Sequence, residues 1–335
     1  MFVAFALLRD ESGRRLEKMS SYLVTGGAGF IGSHLAEELL RRGHRVRIAD
    51  NFVTGKRQNI AHLRGAEVLE GDLADTAFAE RSAAGVDYVL HQAAIPSVPR
   101  SVEDPWPSNR SNIDATLSVL IAARKAGVKR VVYAASSSAY GNTPTLPKRE
   151  DMSTSPRSPY ALQKLVGEQY CRMFGELYGL ETVSTRYFNV FGPRQDPSSP
   201  YSGVISLFTS ALLSGRRPVI YGDGEHTRDF TYVANVVHGV LLACEAPNVA
   251  GEMVNLAAGG RISLNRLVRV LNDIVGTNID PIYKPARAGD VKDSQADISR
   301  AAALLGYQPL VSFENGLAQT VNWCRAIQVP EKLSA

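Results

Sequence analysis

A tyrosine and a lysine four residues apart, Tyr160 and Lys164, could carry out acid–base chemistry. Residues at this spacing share one face of a helix, and Ser-Pro just before Tyr160 is a typical helix start because proline is tolerated in the first turn. A lysine cation near the phenol would lower its pKa, so that a tyrosinate could remove a proton from a hydroxyl. The three serines at 136–138 would supply a hydroxyl that hydrogen-bonds the same oxygen.

Three glycines, Gly26, Gly29 and Gly32, follow a short apolar run at 22–24 and precede a helical pattern. Glycine permits a tight turn, lets the backbone approach a pyrophosphate closely, and lets the helix pack against its strand. The N-terminus of that helix presents free N–H groups and the positive end of its dipole. The spacing therefore predicts a site for the phosphates of a dinucleotide.

Carboxylates and small residues follow the next strands. Asp50 ends the second predicted strand, about twenty residues after the glycines, where a carboxylate accepts hydrogen bonds from both adenosine ribose hydroxyls. It would repel a 2′-phosphate, so NAD is favoured over NADP. Asp72, after the third strand, could reach the adenine amino group. Ala93 and Ala94, after the fourth, leave room for a ligand across the strand end.

Strands alternate with helices through the first half of the chain. We predict helices over 30–42, 115–126 and from Pro159 onward, and strands over 22–24, 45–49, 67–70, 87–90 and 129–135. This order predicts an α/β fold with a Rossmann-type doubly wound parallel sheet that binds ligands at the carboxyl ends of its strands. We expect an N-terminal extension (1–20), an NAD-binding domain (21–188, with some later segments returning to it) and a smaller α/β substrate domain (189–330).

Composition and charge narrow the function class. The 335 residues are 44% hydrophobic and 21% charged, which is typical of a globular protein. The net charge of +4 is spread along the chain, which favours an anionic small ligand over a nucleic-acid partner. Cys171, Cys244 and Cys324 lie far apart, so neither a metal site nor a disulfide framework is indicated, and a reducing cytoplasm is expected.

The first twenty residues are expected to be an appendage to the fold. The apolar stretch at 1–8 is too short to span a bilayer, and no membrane partner is expected. Met19 stands just before the first strand. A start codon assigned too far upstream would therefore explain the extension.

Five segments together resemble the extended short-chain dehydrogenase/reductases that act on nucleotide sugars: the glycine turn at 26–32, Asp50-Asn51, Gly71-Asp72, Tyr160-x-x-x-Lys164 and the segment at 186–189. Among these enzymes the chain most resembles the UDP-hexose 4-epimerases, closest to the UDP-N-acetylglucosamine 4-epimerases, over about residues 20 to 326. The resemblance implies NAD-dependent interconversion of UDP-GlcNAc and UDP-GalNAc, and of UDP-glucose and UDP-galactose, through a 4-keto intermediate. It also implies a homodimer, through helices over 115–126 and 160–178.

The resemblance also assigns roles to individual residues. The catalytic base corresponds to Tyr160 and its lysine partner to Lys164, while the catalytic hydroxyl corresponds to either Ser136 or Ser137. The NAD-binding positions correspond to Gly26, Gly29, Phe30, Ile31, Gly32, Asp50, Asn51, Gly55, Asp72, Leu73, Gln92, Ala93, Tyr160, Lys164 and Tyr187.

Substrate positions of the family fall in both halves of the chain. They correspond to Ser97, Arg100, Ser138, Asn189, Gln195, Val204, Tyr221, Arg228, Arg287, Asp290 and Ser294. Arginine is suited to a diphosphate because its planar guanidinium can bind two oxygens at once. Epimerases restricted to small sugars carry a bulky tyrosine where this chain has Ser294, so the resemblance implies space for a 2-acetamido group.

Two enzymatic alternatives and one non-enzymatic alternative remain. A nucleotide-sugar 4,6-dehydratase is disfavoured, because that family places Asp-Glu where this chain has Ser137-Ser138. A nucleotide-sugar decarboxylase would require a pocket for a uronic acid and would release CO₂. A non-catalytic NAD-binding protein is disfavoured because such proteins usually lose the tyrosine or the lysine, and both are present.

Overall fold

The computed structural model describes residues 19–196, 203–286 and 293–328. The predicted N-terminal extension lies outside this part, apart from its last two residues. The strands are β1 (Ser21–Thr25), β2 (Arg45–Asp50), β3 (Glu67–Glu70), β4 (Tyr88–His91), β5 (Arg130–Ser136), β6 (Thr182–Tyr187), β7 (Val190–Phe191), β8 (Val219–Tyr221), β9 (Thr227–Arg228), β10 (Thr231–Tyr232), β11 (Met253–Leu256), β12 (Ile262–Ser263) and β13 (Ile282–Lys284).

A seven-stranded parallel sheet in the order β3-β2-β1-β4-β5-β6-β11 forms the centre of the described structure. β1 lies inside the sheet, between β2 and β4, and is buried along its whole length, as expected for a strand covered on both faces. The chain reverses direction across the sheet between β1 and β4, where Val24 pairs with Ile48 on one side and Leu90 on the other. Such a reversal opens a crevice at the carboxyl ends of the strands.

Helices cover both faces of the sheet, so the predicted doubly wound fold is confirmed. α1 and α8 pack on one face, while α2, α5 and α6 pack on the other. A π-helical turn at Arg110–Asp114 leads into α5. The helices are α1 (Phe30–Arg41), α2 (Thr76–Ala83), α3 (Val98–Glu103), α4 (Pro105–Asn109), α5 (Ala115–Lys125), α6 (Pro159–Tyr178), α7 (Val204–Leu213), α8 (Val233–Glu245), α9 (Leu264–Val275), α10 (Ser299–Leu305) and α11 (Phe313–Gln328).

The C-terminal part both returns to the sheet and builds a separate group of helices. β11 pairs with β6 at the edge of the sheet, and α8 contacts β5 and β6. α7, α9 and α11 pack against one another, next to the small pairs β8–β13 and β9–β12. Across 19–196, 203–286 and 293–328, every helix lacks either the length or the apolar character needed to cross a bilayer.

Candidate active site

One large cavity, of about 1120 Å³, lies at the carboxyl ends of the central strands and extends to the C-terminal part. Most of the predicted site residues line it. They are Gly26, Gly29, Phe30, Ile31, Gly32, Asp50, Asn51, Gly55, Asp72, Leu73, Gln92, Ala93, Ser97, Arg100, Ser136, Ser137, Ser138, Tyr160, Lys164, Tyr187, Asn189, Gln195, Arg228 and Ser294.

Two predicted substrate positions within the described residues do not line the cavity. Val204 is the first residue of α7 and packs against the main hydrophobic core. Tyr221 is the last residue of β8. Arg287 and Asp290 lie outside the described residues, so their predicted contacts remain predictions.

The glycine turn has no room for side chains at two of its positions. Gly26 has φ +63°, and a Cβ on it would lie 2.7 Å from the Ala93 backbone nitrogen. A Cβ on Gly32 would lie only 2.2 Å from the carbonyl oxygen of Gly26. Because these contacts are to backbone atoms, no side-chain movement could relieve them. The turn therefore brings bare backbone and the N-terminus of α1 to the cavity, as phosphate binding requires.

Asp50 lies beside this turn, at the end of β2. Its carboxylate accepts hydrogen bonds from the backbone N–H groups of Ala28 (2.9 Å) and Phe52 (2.8 Å). A Cβ on Gly55 would come within 2.7 Å of the same carboxylate. Burial raises the pKa of Asp50, and the two N–H donors oppose that shift. The carboxylate is thus held rigidly against the cavity wall, where ribose hydroxyls can reach it.

Gln92 offers a buried donor to the cavity. Its Oε1 accepts a hydrogen bond from the Tyr187 hydroxyl at 3.1 Å. Its Nε2 is buried and has no hydrogen-bond partner among the described residues. A buried donor left unpaired costs free energy, so an acceptor from a ligand is expected there. This donor, together with the glycine turn and Asp50, fits a bound dinucleotide.

The proposed base, Tyr160, is the second residue of α6. Ser158 caps this helix by accepting a hydrogen bond from the Ala161 N–H at 3.2 Å, and Ser101 Oγ accepts one from the Tyr160 N–H at 3.1 Å. The side chain of Ser136 lies close enough to the Tyr160 phenol to influence its pKa. Burial raises the pKa of Tyr160, and Ser136 opposes the rise. Caps and contacts from two segments thus hold the phenol in place.

The geometry distinguishes between the two candidate serines. Ser136 is the serine that influences the pKa of the Tyr160 phenol. Its hydroxyl accepts hydrogen bonds from the N–H (3.2 Å) and the hydroxyl (2.9 Å) of Ser138. Ser137 lines the cavity but begins the short helical turn Ser137–Tyr140. Of the two candidates, Ser136 is therefore the one beside the Tyr160 phenol, and its catalytic role remains a prediction.

Lys164 is held against strand β5. Lys164 is buried, and its Nζ donates a hydrogen bond to the Ala134 carbonyl at 2.7 Å and lies 5.0 Å from the centre of the Tyr133 ring. Burial lowers the pKa of Lys164 to about 8. The lowering of the Tyr160 pKa by Lys164 together with a bound nicotinamide remains a prediction.

Three of the predicted substrate positions line the cavity where it reaches the C-terminal part. The Ser294 N–H donates to the Thr227 carbonyl at 3.1 Å, which places Ser294 next to Arg228. Gln195 donates through Nε2 to the Val190 carbonyl at 3.1 Å. Asn189 has φ +28° and donates to the Asp229 carbonyl at 3.2 Å.

Sequence reasoning missed several charged residues of the cavity wall. Lys56 and Asp196 both line the cavity and form an ion pair at 2.6 Å. Lys148 and Arg157 also line it. Each stands in a loop with no spacing rule to mark it, so only the folded positions reveal them.

Comparison with known proteins decides the family. A profile described as the NAD dependent epimerase/dehydratase family matches residues 22–257. The chain belongs to this family. NAD is accordingly its cofactor, as the glycine turn and Asp50 predict, and the expected assignment to the nucleotide-sugar epimerases is confirmed.

Several relatives match over nearly their whole length. A UDP-N-acetylglucosamine 4-epimerase from Methanobrevibacter ruminantium, solved in complex with UDP-N-acetylmuramic acid, is 41% identical with a TM-score of 0.89, over 93% of this chain and 100% of that one. A UDP-glucose 4-epimerase from Thermus thermophilus, solved with NAD, is 35% identical with a TM-score of 0.82, over 91% and 99%. A UDP-N-acetyl-alpha-D-glucosaminuronate decarboxylase from Bacillus cytotoxicus is 34% identical over 91% of this chain and 98% of its own.

Proposed function

We propose that this protein is a UDP-hexose 4-epimerase that interconverts UDP-GlcNAc and UDP-GalNAc, and UDP-glucose and UDP-galactose. One observation carries the proposal: a single cavity joins the dinucleotide-binding turn to the Tyr160–Ser136 pair and then to Arg228 and Ser294. An acid–base pair between a nicotinamide site and a diphosphate-binding arginine suits oxidation and reduction of a sugar carbon.

The proposed mechanism uses Tyr160 as the base. Bound NAD supplies a reversible hydride acceptor at C4 of the sugar. Tyr160 removes the proton of the 4-hydroxyl as that carbon is oxidised, and Ser136 hydrogen-bonds the same oxygen in both its hydroxyl and its carbonyl form. The 4-keto sugar rotates within the cavity and presents the other face of C4 to the cofactor. Tyr160 returns the proton when C4 is reduced on that face. Proton and hydride both return, so the reaction has no net redox change.

Ser294 supports activity toward N-acetylated sugars. It lies in the cavity wall beside Arg228, and its small side chain leaves the space that a tyrosine would occupy. The similar Methanobrevibacter enzyme is named for UDP-N-acetylglucosamine. In this proposal, residues 189–330 bind the nucleotide sugar and residues 21–188 bind NAD.

The test is turnover without added cofactor. Purified protein is incubated separately with UDP-GlcNAc and UDP-glucose, and the 4-epimers are resolved by proton NMR. UDP-GalNAc formation is the expected result, and Tyr160→Phe should lose it while keeping bound NAD. Turnover of UDP-glucose alone would refute the proposed role of Ser294. Activity of Tyr160→Phe near that of the wild type would refute the mechanism.

A decarboxylase activity is the second candidate, because one relative of similar length carries that name. UDP-glucuronate distinguishes the two reactions, since only decarboxylation releases CO₂. Release of CO₂ without a 4-epimer from any neutral sugar would favour the decarboxylase. The dehydratase alternative stays disfavoured, because Ser137 and Ser138 line the cavity where that family needs carboxyl groups.

We further propose a cytoplasmic homodimer that forms through α5 and α6. Leu162, Met173 and Leu177 of α6 are exposed in the single chain, at 51%, 46% and 64%. An apolar helix face of this kind is typical of a protein–protein contact. Light scattering coupled to size-exclusion chromatography tests the dimer, and a monomer at micromolar concentration would contradict it.

A further inference from the structure

Asp229 is a fully buried carboxylate that directly follows Arg228. Its Oδ1 accepts a hydrogen bond from the Ala258 N–H at 3.0 Å. Its Oδ2 accepts two more, from the N–H groups of Gly259 (3.0 Å) and Ala296 (3.1 Å). A single side chain therefore joins three stretches of chain: the one between β9 and β10, the one after β11, and the one before α10.

Two of these stretches carry residues of the substrate side of the cavity. Arg228 precedes Asp229, and Ser294 lies two residues before Ala296. The Ser294 N–H also donates to the Thr227 carbonyl at 3.1 Å. Both ends of the stretch that bears Ser294 are thus tied to residues next to Arg228.

The connection reaches the junction with the NAD-binding half as well. The Asn189 side chain donates to the Asp229 carbonyl at 3.2 Å. On the other side, the Lys148 N–H donates to the Gln295 carbonyl at 2.7 Å. Asp229 therefore lies at the centre of the contacts that place the substrate side against the rest of the cavity.

A carboxylate is the group this position needs. Three N–H donors point at its two oxygens, and charge-assisted bonds of this kind are stronger than neutral ones. An asparagine would present an NH₂ group to at least one of these donors, leaving a buried N–H unpaired. Burial raises the pKa of Asp229 to about 6, so the group is ionised at neutral pH.

We infer that Asp229 is a positioning residue that holds Arg228 and Ser294 at a set separation, and so determines affinity and sugar selectivity toward the UDP-sugar. This inference rests on the proposed function. Asp229 does not line the cavity, so it acts on the substrate only through its neighbours.

The test is Asp229→Asn in the full chain with its bound NAD. We expect KM for UDP-GlcNAc and UDP-glucose to rise about tenfold or more, since one buried donor loses its partner. The rise should differ between the two sugars, because the position of Ser294 changes. The value of kcat and the NAD content should stay near wild type, because the Tyr160–Ser136 pair and the glycine turn do not contact Asp229.

Asp75→Asn is the matched control. Asp75 also accepts two backbone N–H bonds, from Ala77 and Phe78, but it caps α2 and does not line the cavity. The Asp75→Asn variant should leave KM for both UDP-sugars unchanged. Equal loss of kcat, NAD content and affinity in Asp229→Asn would indicate a purely structural role and overturn the inference, as would an unchanged KM.

Wild-type protein supplies an independent measurement if the variant does not fold. Hydrogen exchange should show protected amides at Ala258, Gly259 and Ala296, with further protection of the stretch around Ser294 when UDP is added. Exchange of these three amides at the rate of exposed loops would overturn the inference. Failure of the wild type to bind UDP or turn over any UDP-sugar would instead refute the proposed function.

Discussion

A buried ion pair behind the active site gives the sharpest test of the structure. Arg186 of β6 and Glu168 of α6 are both buried and form two hydrogen bonds, at 2.8 and 2.7 Å. The guanidinium also lies 4.5 Å from the centre of the Tyr140 ring. Its Nη1 has no hydrogen-bond partner among the described residues. Glu168 is therefore the main group that compensates this buried charge.

Glu168→Gln removes that compensation. Breaking a buried pair by removing one partner costs about 3–5 kcal/mol, because the other charge stays buried. For a chain of this size each kcal/mol lowers Tm by about 2 °C. We therefore expect Tm to fall by roughly 6–10 °C, taking these two values together.

The same change should affect Lys164, one helical turn before Glu168. The Glu168 charge raises the pKa of Lys164, against the larger lowering by burial. Loss of that charge should lower the pKa of Lys164 below its value of about 8. The alkaline limb of the kcat–pH profile should then move to lower pH.

The assay is differential scanning calorimetry at a fixed excess of NAD, because ligand binding itself shifts Tm. Glu176→Gln is the control, since Glu176 pairs with Arg172 at 2.7 Å on the exposed face of the same helix; it should not change Tm measurably. The double variant Glu168→Met/Arg186→Met should recover much of the loss, because an apolar pair leaves no buried charge. A Glu168→Gln variant as stable as the control would refute the reasoning.

Three further changes test other parts of the site. Gly32→Ala should abolish NAD retention in the purified protein, because its Cβ would lie 2.2 Å from the Gly26 carbonyl oxygen. Lys56→Ala should speed NAD release, measured by NAD content after gel filtration, because its ion pair with Asp196 joins two walls of the cavity. Burial lowers the pKa of His91 from 6.5 to about 3. Between these two values the unfolded chain binds a proton that the folded protein does not, so the folded protein loses stability as pH drops below 6.5. His91→Gln should reduce this pH dependence of stability.

Control variants and contradicting outcomes can be stated for each of these three changes. A Cβ on Gly260 meets no neighbouring atom, so equal NAD loss in Gly260→Ala would remove the steric explanation. Lys129 pairs with Asp87 at 2.7 Å and does not line the cavity, so Lys129→Ala should retain NAD as the wild type does. An unchanged slope of Tm against pH in His91→Gln would show that His91 does not carry the acid sensitivity.

Much of the NAD-binding half could be predicted from the sequence. The glycine turn, the strand ends at Asp50 and Asp72, and the helix that bears Tyr160 and Lys164 all follow from local spacing. Glycine conformation, strand burial and helix periodicity act within a few residues, so neighbouring residues are enough to determine them.

Only the tertiary structure decided the contacts between distant segments. It placed Ser136 beside the Tyr160 phenol, and it left Val204 and Tyr221 out of the cavity wall. It also brought three remote stretches onto the carboxylate of Asp229. These outcomes depend on how separate elements pack, and residues far apart in sequence carry no spacing that reports their distance in space. The sequence by itself therefore determined the cofactor, the fold class and the candidate base, whereas packing decided which distant residues meet at the cavity.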